Sequence, residues 1–415
     1  MHGTPTGRDG FPSDPEHIFL TAGASAGVSQ LLNVCLSPGD GVLVPIPQYP
    51  LYTATLAALS CHPVPYQLQE SSGWSLSQPV LQSAIDSVDR AKTPIKALVV
   101  INPGNPTGGC LEESDMREIV RMCYDQGLVL MADEVYQTNI YYPETKPFVS
   151  FKKVLRTMED EPDSVIEKDC VELISFHSLS KGVSGECGRR GGYFELVNID
   201  EQVVDQIYKM ASISLCPPVT GQVGVDLLVD PPKPGEPSYA QYEKETSITH
   251  QSLLDRSAYM SEKFNALEGM SCQKAEGAMY LFPSIEMPDK ALKEAEKRGK
   301  PADVMYALDL LGEHESSGPR ACPSPCSLTL RPLSSPCLPW RWNRRHRDLC
   351  GRRVRIRTKG RNVSSPSHCA LPRGRGLCRQ DRDVPQGFHE EIRLVESPVV
   401  RSGNAVMLLD LVNGS

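Results

Sequence analysis

Lys96-Ala-Leu-Val-Val-Ile101 is followed directly by Asn102-Pro-Gly-Asn-Pro-Thr-Gly108, and this stretch decides the fold. The first half is a short apolar run of the kind that forms a strand buried on both faces. The second half is a turn sequence rich in Asn, Pro and Gly. In open α/β sheets, ligands bind just beyond the carboxyl ends of such strands. The stretch therefore predicts an α/β fold with its functional residues at strand ends.

The same pattern continues on both sides of this stretch. Further apolar runs predict strands at 17–21, 41–45, 128–132 and 171–175, and apolar residues at helical spacing predict helices at 26–36, 52–59 and 112–125. Alternating strands and helices predict a doubly wound, mostly parallel sheet flanked by helices. A proline-rich loop at 231–237 interrupts the pattern. Beyond it we predict a long charged helix at 239–267 and the start of a smaller α+β domain at 277–282.

Composition narrows the class of protein. The chain has 415 residues, of which 40% are hydrophobic and 23% charged, as in soluble proteins of one or two domains. It has no apolar run of the roughly eighteen residues that a transmembrane helix needs, and residues 1–9 show no signal-peptide pattern. The net charge of −8 gives no reason to expect nucleic-acid binding. We expect a cytoplasmic protein with free thiols, or a mitochondrial matrix protein if a presequence is missing.

The composition changes near residue 315. Residues 1–315 carry 25 Lys and Arg against 44 Asp and Glu, a net charge of 25 − 44 = −19. Residues 316–415 carry 18 against 7, a net charge of 18 − 7 = +11, and are rich in Pro, Ser and Cys without periodicity. Two interpretations are open: a basic nucleic-acid-binding or targeting arm, or translation in a shifted frame or through an intron. We expect this tail to be disordered.

Three polar clusters each follow a predicted buried strand. The first is 102–108, the second is Asp133-Glu-Val-Tyr136, and the third is Ser178-Leu-Ser-Lys181. Taken singly, they have ordinary structural interpretations as a turn, a helix cap and a surface lysine. Because the carboxyl ends of parallel strands meet at one edge, we expect the three clusters to form one site. The cysteines and histidines show no metal-ligand spacing, so no metal site is predicted.

Together the clusters resemble the fold-type I aminotransferases of class I and II, which use pyridoxal 5'-phosphate. Gly188-Arg-Arg-Gly-Gly-Tyr193 matches the element that follows the lysine in that family. The likeness covers roughly residues 13–282 and is greatest to the alanine aminotransferase branch, on segments 47–52, 135–137, 181–182, 185–188 and 217–222. It implies a large cofactor-binding domain at 1–237, then a long helix and a partial small domain at 238–315.

The resemblance also assigns roles to individual residues. Lys181 forms a Schiff base with the cofactor aldehyde and, once released by substrate, moves the Cα proton as a base. Asp133 keeps the pyridine nitrogen protonated, while Asn105 and Tyr136 donate to the phenolic oxygen. Lys181, Asp133 and Tyr136 are the predicted catalytic residues. The remaining predicted contacts are Ala24, Ser25, Ser178 and Arg190 to the phosphate, with Arg189 as the competing arginine, and Tyr49 stacked on the ring or, alternatively, packed in the core.

The implied reaction is ping-pong transfer of the amino group of L-alanine to 2-oxoglutarate, giving pyruvate and L-glutamate. The resemblance further implies amino-acid and 2-oxo-acid substrates and a homodimer, with no nucleic-acid or membrane partner. Family members have a longer segment ahead of the first phosphate-binding turn, and residues 316–415 lack a Gly-Thr-x-His-Phe-Arg-like element for the substrate carboxylate. We therefore expect this chain to have little or no activity. Two alternatives are a truncated or frame-shifted inactive relative and an aminotransferase for aromatic amino acids or kynurenine.

Overall fold

The structure is a computed structural model that describes residues 9–182 and 185–316, together with two short strands within 404–410. Residues 311–316 and the two strands are described by their backbone alone. The described residues up to 310 and the two short strands belong to one compact unit, and residues 311–316 belong to a second. Apart from the end of the last helix, everything described below belongs to the first unit. In the described part of the chain, no helix has the length and apolar character to cross a membrane.

Strands and helices alternate along the chain, as the sequence predicts. The strands are β1 (Ile18–Thr21), β2 (Gly41–Ile46), β3 (His62–Gln67), β4 (Ile95–Ile101), β5 (Val129–Asp133), β6 (Leu173–Ser178), β7 (Gly192–Val197), β8 (Met270–Ser271), β9 (Tyr280–Leu281), β10 (Ser284–Glu286), β11 (Asn404–Val406) and β12 (Leu409–Asp410). The helices are α1 (Ala24–Cys35), α2 (Leu51–Ala58), α3 (Gln78–Asp86), α4 (Glu113–Gln126), α5 (Phe151–Asp160), α6 (Glu201–Ser214), α7 (Val219–Val229), α8 (Tyr239–Asn265), α9 (Asp289–Lys297) and α10 (Ala302–Ser316).

The first seven strands form one sheet in the order β1-β7-β6-β5-β4-β2-β3. Strands β2 to β6 pair in parallel, and β7 runs antiparallel between β1 and β6. The predicted mostly parallel α/β sheet is therefore confirmed. Ile101 lies opposite Asp133, and Asp133 lies opposite Phe176. This register brings the carboxyl ends of β4, β5 and β6 to one edge of the sheet.

Helices cover both faces of the sheet, so alternate residues of each strand enter different cores. Leu98 and Val100 of β4 pack in a core formed with α3, α4 and α5. Ala97 and Val99 pack on the opposite face, in a core formed with α1, α2 and part of α6. This double burial explains why β4 is a continuous apolar run rather than an alternating one.

Strand β3 departs from the sequence prediction, which places no strand at 62–67. Pro63 and Pro65 argue against a strand because proline cannot donate a ladder hydrogen bond. β3 is the edge strand beside β2, where the missing donors leave no partner unsatisfied. The predicted helix at 26–36 begins earlier, at Ala24. That shift is important because it places Ala24 in the first turn.

The smaller part of the fold contains the remaining strands. β8, β10 and β11 form an antiparallel sheet in the order β11-β10-β8, and β9 pairs with β12. The strands at 404–406 and 409–410 differ from the disorder predicted for 316–415. Both lie in a locally apolar stretch that pairs with the open edges of β10 and β9. The rest of the tail beyond residue 316 lies outside the described residues, and the predicted boundary at 237 stays a prediction.

Candidate active site

A chain of hydrogen bonds joins three of the predicted site residues at the strand-end edge. The Asn105 amide donates to the Tyr136 hydroxyl at 3.1 Å, and that hydroxyl donates to Tyr280 at 2.8 Å. The Lys181 amine donates to the same Tyr280 oxygen at 3.2 Å. Lys181 Nζ also lies 5.3 Å from the centre of the Tyr136 ring. The residues predicted from three separate strand ends therefore meet, with Tyr280 between two of them.

Asp133 is buried at the end of β5, beside these hydrogen-bonded residues. Its Oδ2 accepts a 2.8 Å hydrogen bond from the fully buried hydroxyl of Tyr52. Burial raises the pKa of the Asp133 carboxyl, while the Tyr52 hydroxyl, the Val135 amide and the charge of Lys181 act in the opposite direction. Within the described part of the chain, Oδ1 of Asp133 has no hydrogen-bond partner. A buried carboxylate oxygen without a donor fits a protonated ring nitrogen.

The first turn of α1 lies beside the turn that carries Arg190. Gly23 precedes α1 with φ +90°, and among the described residues no side chain caps the amide groups of the helix. The Arg190 guanidinium donates to the carbonyl oxygens of Ala22 and Cys187. A Cβ on Gly23 would lie 2.6 Å from an Arg190 nitrogen, so glycine permits this approach. The arrangement combines the amide end of a helix with a positive charge held beside it, which suits an anion.

The other predicted phosphate residues are close to this turn. Ser178, at the end of β6, donates through its hydroxyl to the carbonyl of Gly191 at 3.2 Å. The same oxygen accepts from the amide of Ser180, so it also orders the approach to Lys181. Ser25 lies in the first turn of α1 and is partly buried. The geometry around Gly23 involves the guanidinium of Arg190, which supports Arg190 over Arg189, although the phosphate role of each stays a prediction.

Tyr49 lies in the loop between β2 and α2 and is 44% exposed. The alternative of a packed core tyrosine is therefore wrong, because the loop lifts the ring out of the core beneath it. The stacking role stays a prediction. Tyr52, three residues further on, is the tyrosine that enters the core.

Sequence reasoning missed two hydroxyl groups of this site. Tyr52 ends the segment 47–52, which the family resemblance singles out, and Tyr280 lies within the predicted start of the small domain. Either could have been noted as a polar aromatic in an otherwise apolar setting, whose hydroxyl needs a buried partner. Their actual partners, Asp133 and Lys181, follow only from the folded arrangement.

A sequence model of the family described as aminotransferase class I and II matches residues 3–307. The chain belongs to that family. Class I and II aminotransferases use pyridoxal 5'-phosphate, and the residues present here fit that group. The unpartnered Asp133 Oδ1 suits its pyridine nitrogen, and the uncapped first turn of α1 beside Arg190 suits its phosphate.

Similar proteins of known name agree with the family. The chain is 50% identical over 305 residues to glutamate–glyoxylate aminotransferase 1 of Arabidopsis thaliana, covering 73% of this chain and 62% of that protein. It is 48% identical over 306 residues to a probable mitochondrial alanine aminotransferase of Dictyostelium discoideum, covering 73% and 56%. The chain thus spans about three fifths of the length of these relatives.

Solved aminotransferase structures share the fold. An alanine aminotransferase from Pyrococcus furiosus superposes with a TM-score of 0.59 at 26% identity, covering 72% of this chain and 68% of that one. An aspartate aminotransferase variant from Thermus thermophilus superposes with a TM-score of 0.54 at 18% identity, covering 67% and 64%. The second likeness shows the fold alone, and both confirm the predicted fold-type I architecture.

Proposed function

We propose that this chain transfers the amino group of L-alanine to 2-oxoglutarate, giving pyruvate and L-glutamate, with pyridoxal 5'-phosphate as cofactor. The observation that carries the proposal is the convergence of Lys181, Tyr136 and Asn105 beside a buried Asp133 with one unpartnered oxygen. The family membership and the relatives named alanine aminotransferase support the choice of reaction.

Each of these residues has a task that its position supports. When bound, pyridoxal phosphate supplies an electron sink for the negative charge left on the substrate Cα. Asp133 would hold the protonated ring nitrogen through its second oxygen; burial raises the pKa of this carboxyl, and the Tyr52 hydroxyl favours the charged form against that larger effect. With the cofactor bound, Lys181 would act as the base that moves the substrate Cα proton to the cofactor carbon. Asn105 and Tyr136, which are hydrogen-bonded to each other, would hold the phenolic oxygen.

The residues around the first turn of α1 would hold the phosphate of the cofactor, while Lys181 and Asp133 would act on its aldehyde carbon and its ring nitrogen. Arg190, Ser178 and the first turn of α1, with Ala24 and Ser25, supply the charge and the donors. We propose that Tyr49, exposed at the same edge, covers the ring. Holding both ends of the ring would fix the position of the cofactor relative to the Lys181 amine, and a fixed position of the reacting groups is a major source of rate.

A second candidate is transfer of the amino group of glutamate to glyoxylate. Two Arabidopsis thaliana relatives named glutamate–glyoxylate aminotransferase are 50% and 51% identical to this chain. Their identity slightly exceeds that of the alanine aminotransferases, at 47–49% in the plant, slime-mould and budding-yeast proteins. Both reactions use the same cofactor chemistry and differ in the amino donor and in the oxo-acid acceptor, so the residues described here serve either one.

Steady-state assays on the purified chain with pyridoxal phosphate distinguish these candidates. The sequence predicts a low overall rate, and we expect the transfer that does occur to favour alanine with 2-oxoglutarate, with a kcat/KM at least tenfold above that for phenylalanine or kynurenine, about 1.4 kcal/mol of barrier. Glutamate with glyoxylate is measured beside them. A higher kcat/KM for that pair would replace the first candidate by the second. Absence of transfer with every pair, in a chain that carries cofactor on Lys181, would establish the inactive alternative.

We propose further that a second copy of this chain covers an exposed apolar face formed by the end of α6 and by α7. Ile213, Leu215 and Val219 are 76%, 80% and 73% exposed, an unusual state for large apolar side chains. Helix α7 adjoins the candidate active site, because its residue Gly221 packs against the backbone of Arg190. Sedimentation equilibrium should give twice 45.6 kDa, and Leu215→Asp should give the monomer. A monomeric parent chain contradicts the proposal.

The names of the relatives indicate the cellular compartment only in part. The Dictyostelium discoideum relative is named mitochondrial, which keeps the mitochondrial matrix beside the cytoplasm as a proposed location. Fluorescence microscopy of the tagged chain against a mitochondrial marker tests the choice.

A further inference from the structure

We propose that Tyr280 is a further catalytic residue, one that holds the Lys181 amine ready for covalent attachment of the cofactor; this rests on the proposed function. Its hydroxyl oxygen accepts hydrogen bonds from Lys181 Nζ at 3.2 Å and from Tyr136 at 2.8 Å. The contact reaches the reacting nitrogen itself. Tyr280 is 7% exposed, so bulk water cannot easily replace its hydroxyl.

The ring of Tyr280 also limits where the amine can go. The rings of Tyr136 and Tyr280 meet edge to face with their centres 5.7 Å apart. Lys181 Nζ lies 5.3 Å from one ring centre and 5.8 Å from the other, within the range of a cation–π contact. The amine is therefore held by one hydroxyl and two aromatic faces, near the Asn105–Tyr136 pair.

Backbone hydrogen bonds fix the segment 276–281, which places the Tyr280 hydroxyl beside the Lys181 amine. The amides of Glu276 and Gly277 both donate to the carbonyl of Gly108, and the Ala278 amide donates to the carbonyl of Asn139. A Cβ on Gly277 would lie 2.7 Å from that Asn139 oxygen, so only glycine fits. Ala278 has φ +58°, an uncommon conformation for a residue with a side chain, and such conformations cluster at functional sites.

Asn139 ties this segment to the turn that follows the lysine. Its side-chain oxygen accepts from the amide of Gly182 at 2.9 Å, while its main-chain carbonyl accepts from Ala278. The buried residue Asn139 therefore anchors both the turn that carries Lys181 and the segment that carries Tyr280. A fixed separation between amine and hydroxyl is what a positioned nucleophile requires.

The chemical step that Tyr280 assists is condensation of the amine with the cofactor aldehyde. The neutral amine forms a carbon–nitrogen double bond, and the aldehyde oxygen leaves as water with the two amine protons. A phenol can donate to the departing oxygen or accept from the nitrogen during this exchange, because a hydroxyl has one donor and two acceptor positions. A phenyl ring of the same shape can do neither.

The test compares Tyr280→Phe with Tyr141→Phe. Tyr141 is the matched control because its buried hydroxyl donates to the carbonyl of Ala278 at 2.7 Å, so it supports the same segment without reaching Lys181. Cofactor-free protein is mixed with saturating pyridoxal phosphate and quenched with borohydride at successive times. Mass spectrometry of the Lys181 peptide gives the rate of covalent attachment, normalised to the folded fraction from circular dichroism.

We expect attachment in Tyr280→Phe to slow about tenfold and in Tyr141→Phe to stay within about twofold of the parent. Parent-like attachment in Tyr280→Phe overturns the inference. Equal slowing in both variants also overturns it, because the hydroxyls would then serve only to dock the segment. If the parent chain itself shows no label on Lys181, the proposed function fails, which is a distinct result.

Discussion

Replacing Lys181 by alanine is expected to leave the chain with no covalently attached pyridoxal phosphate. The parent protein, loaded with cofactor and reduced with borohydride, should carry the label on the Lys181 peptide alone. The reason is positional, since Lys181 is the lysine at the end of β6 whose amine enters the group formed by Tyr136 and Tyr280. The buried lysine Lys152 is engaged elsewhere, since its ammonium group contacts Glu195 at 2.7 Å.

Lys146→Ala is the matched control for that experiment. Lys146 is partly buried, and its amine binds Glu112 at 2.6 Å and Glu276 at 3.4 Å. Its removal should leave the label on Lys181 unchanged. Lys181→Ala should still retain cofactor non-covalently through the phosphate contacts of Arg190 and Ser178, as equilibrium dialysis would show. A label that persists in Lys181→Ala, or that maps to a different lysine in the parent, would remove Lys181 from the proposed role.

The parts of the fold that sequence predicts well are those fixed by local pattern. Strand β4 is buried on both faces, so its apolar run is continuous and stands out, and the same holds for β5. The residues after each strand, including Asn105 and Asp133, could be placed at one edge because parallel strands share their direction. β3 could not be found in this way, since its two prolines are tolerated only because it lies at the edge of the sheet.

The parts that sequence does not predict depend on contacts between distant residues. Tyr280 meets Lys181 across 99 residues, and Tyr52 meets Asp133 across 81. Neither spacing follows from helix or strand periodicity. The position of Tyr280 depends on docking of the segment 276–281 against Gly108 and Asn139, which is a property of the assembled fold.

Replacing Asp133 by asparagine is expected to slow removal of the substrate Cα proton by at least about a hundredfold, roughly 2.7 kcal/mol of barrier. An amide has nearly the same shape and can still accept the hydrogen bond of Tyr52, so folding and cofactor binding should largely persist. It cannot hold a positive ring nitrogen by charge, and without that charge the carbanion at Cα loses its sink. Exchange of the alanine Cα proton for deuterium, followed by NMR, measures the step directly.

Tyr52→Phe separates the charge of Asp133 from its hydrogen bond. This variant keeps the carboxylate and removes one donor, so we expect the exchange rate at high pH to fall less than about tenfold. The Tyr52 hydroxyl lowers the pKa of Asp133 against the larger effect of burial, which raises it. Removing the hydroxyl therefore raises that pKa further, and the acidic limb of the rate profile should move to higher pH.

An Asp133→Asn rate within about threefold of the parent, below ~1 kcal/mol of barrier, would refute the role of the carboxylate. An acidic limb that moves to lower pH in Tyr52→Phe would show that Asp133 is not the group that limits the rate in acid.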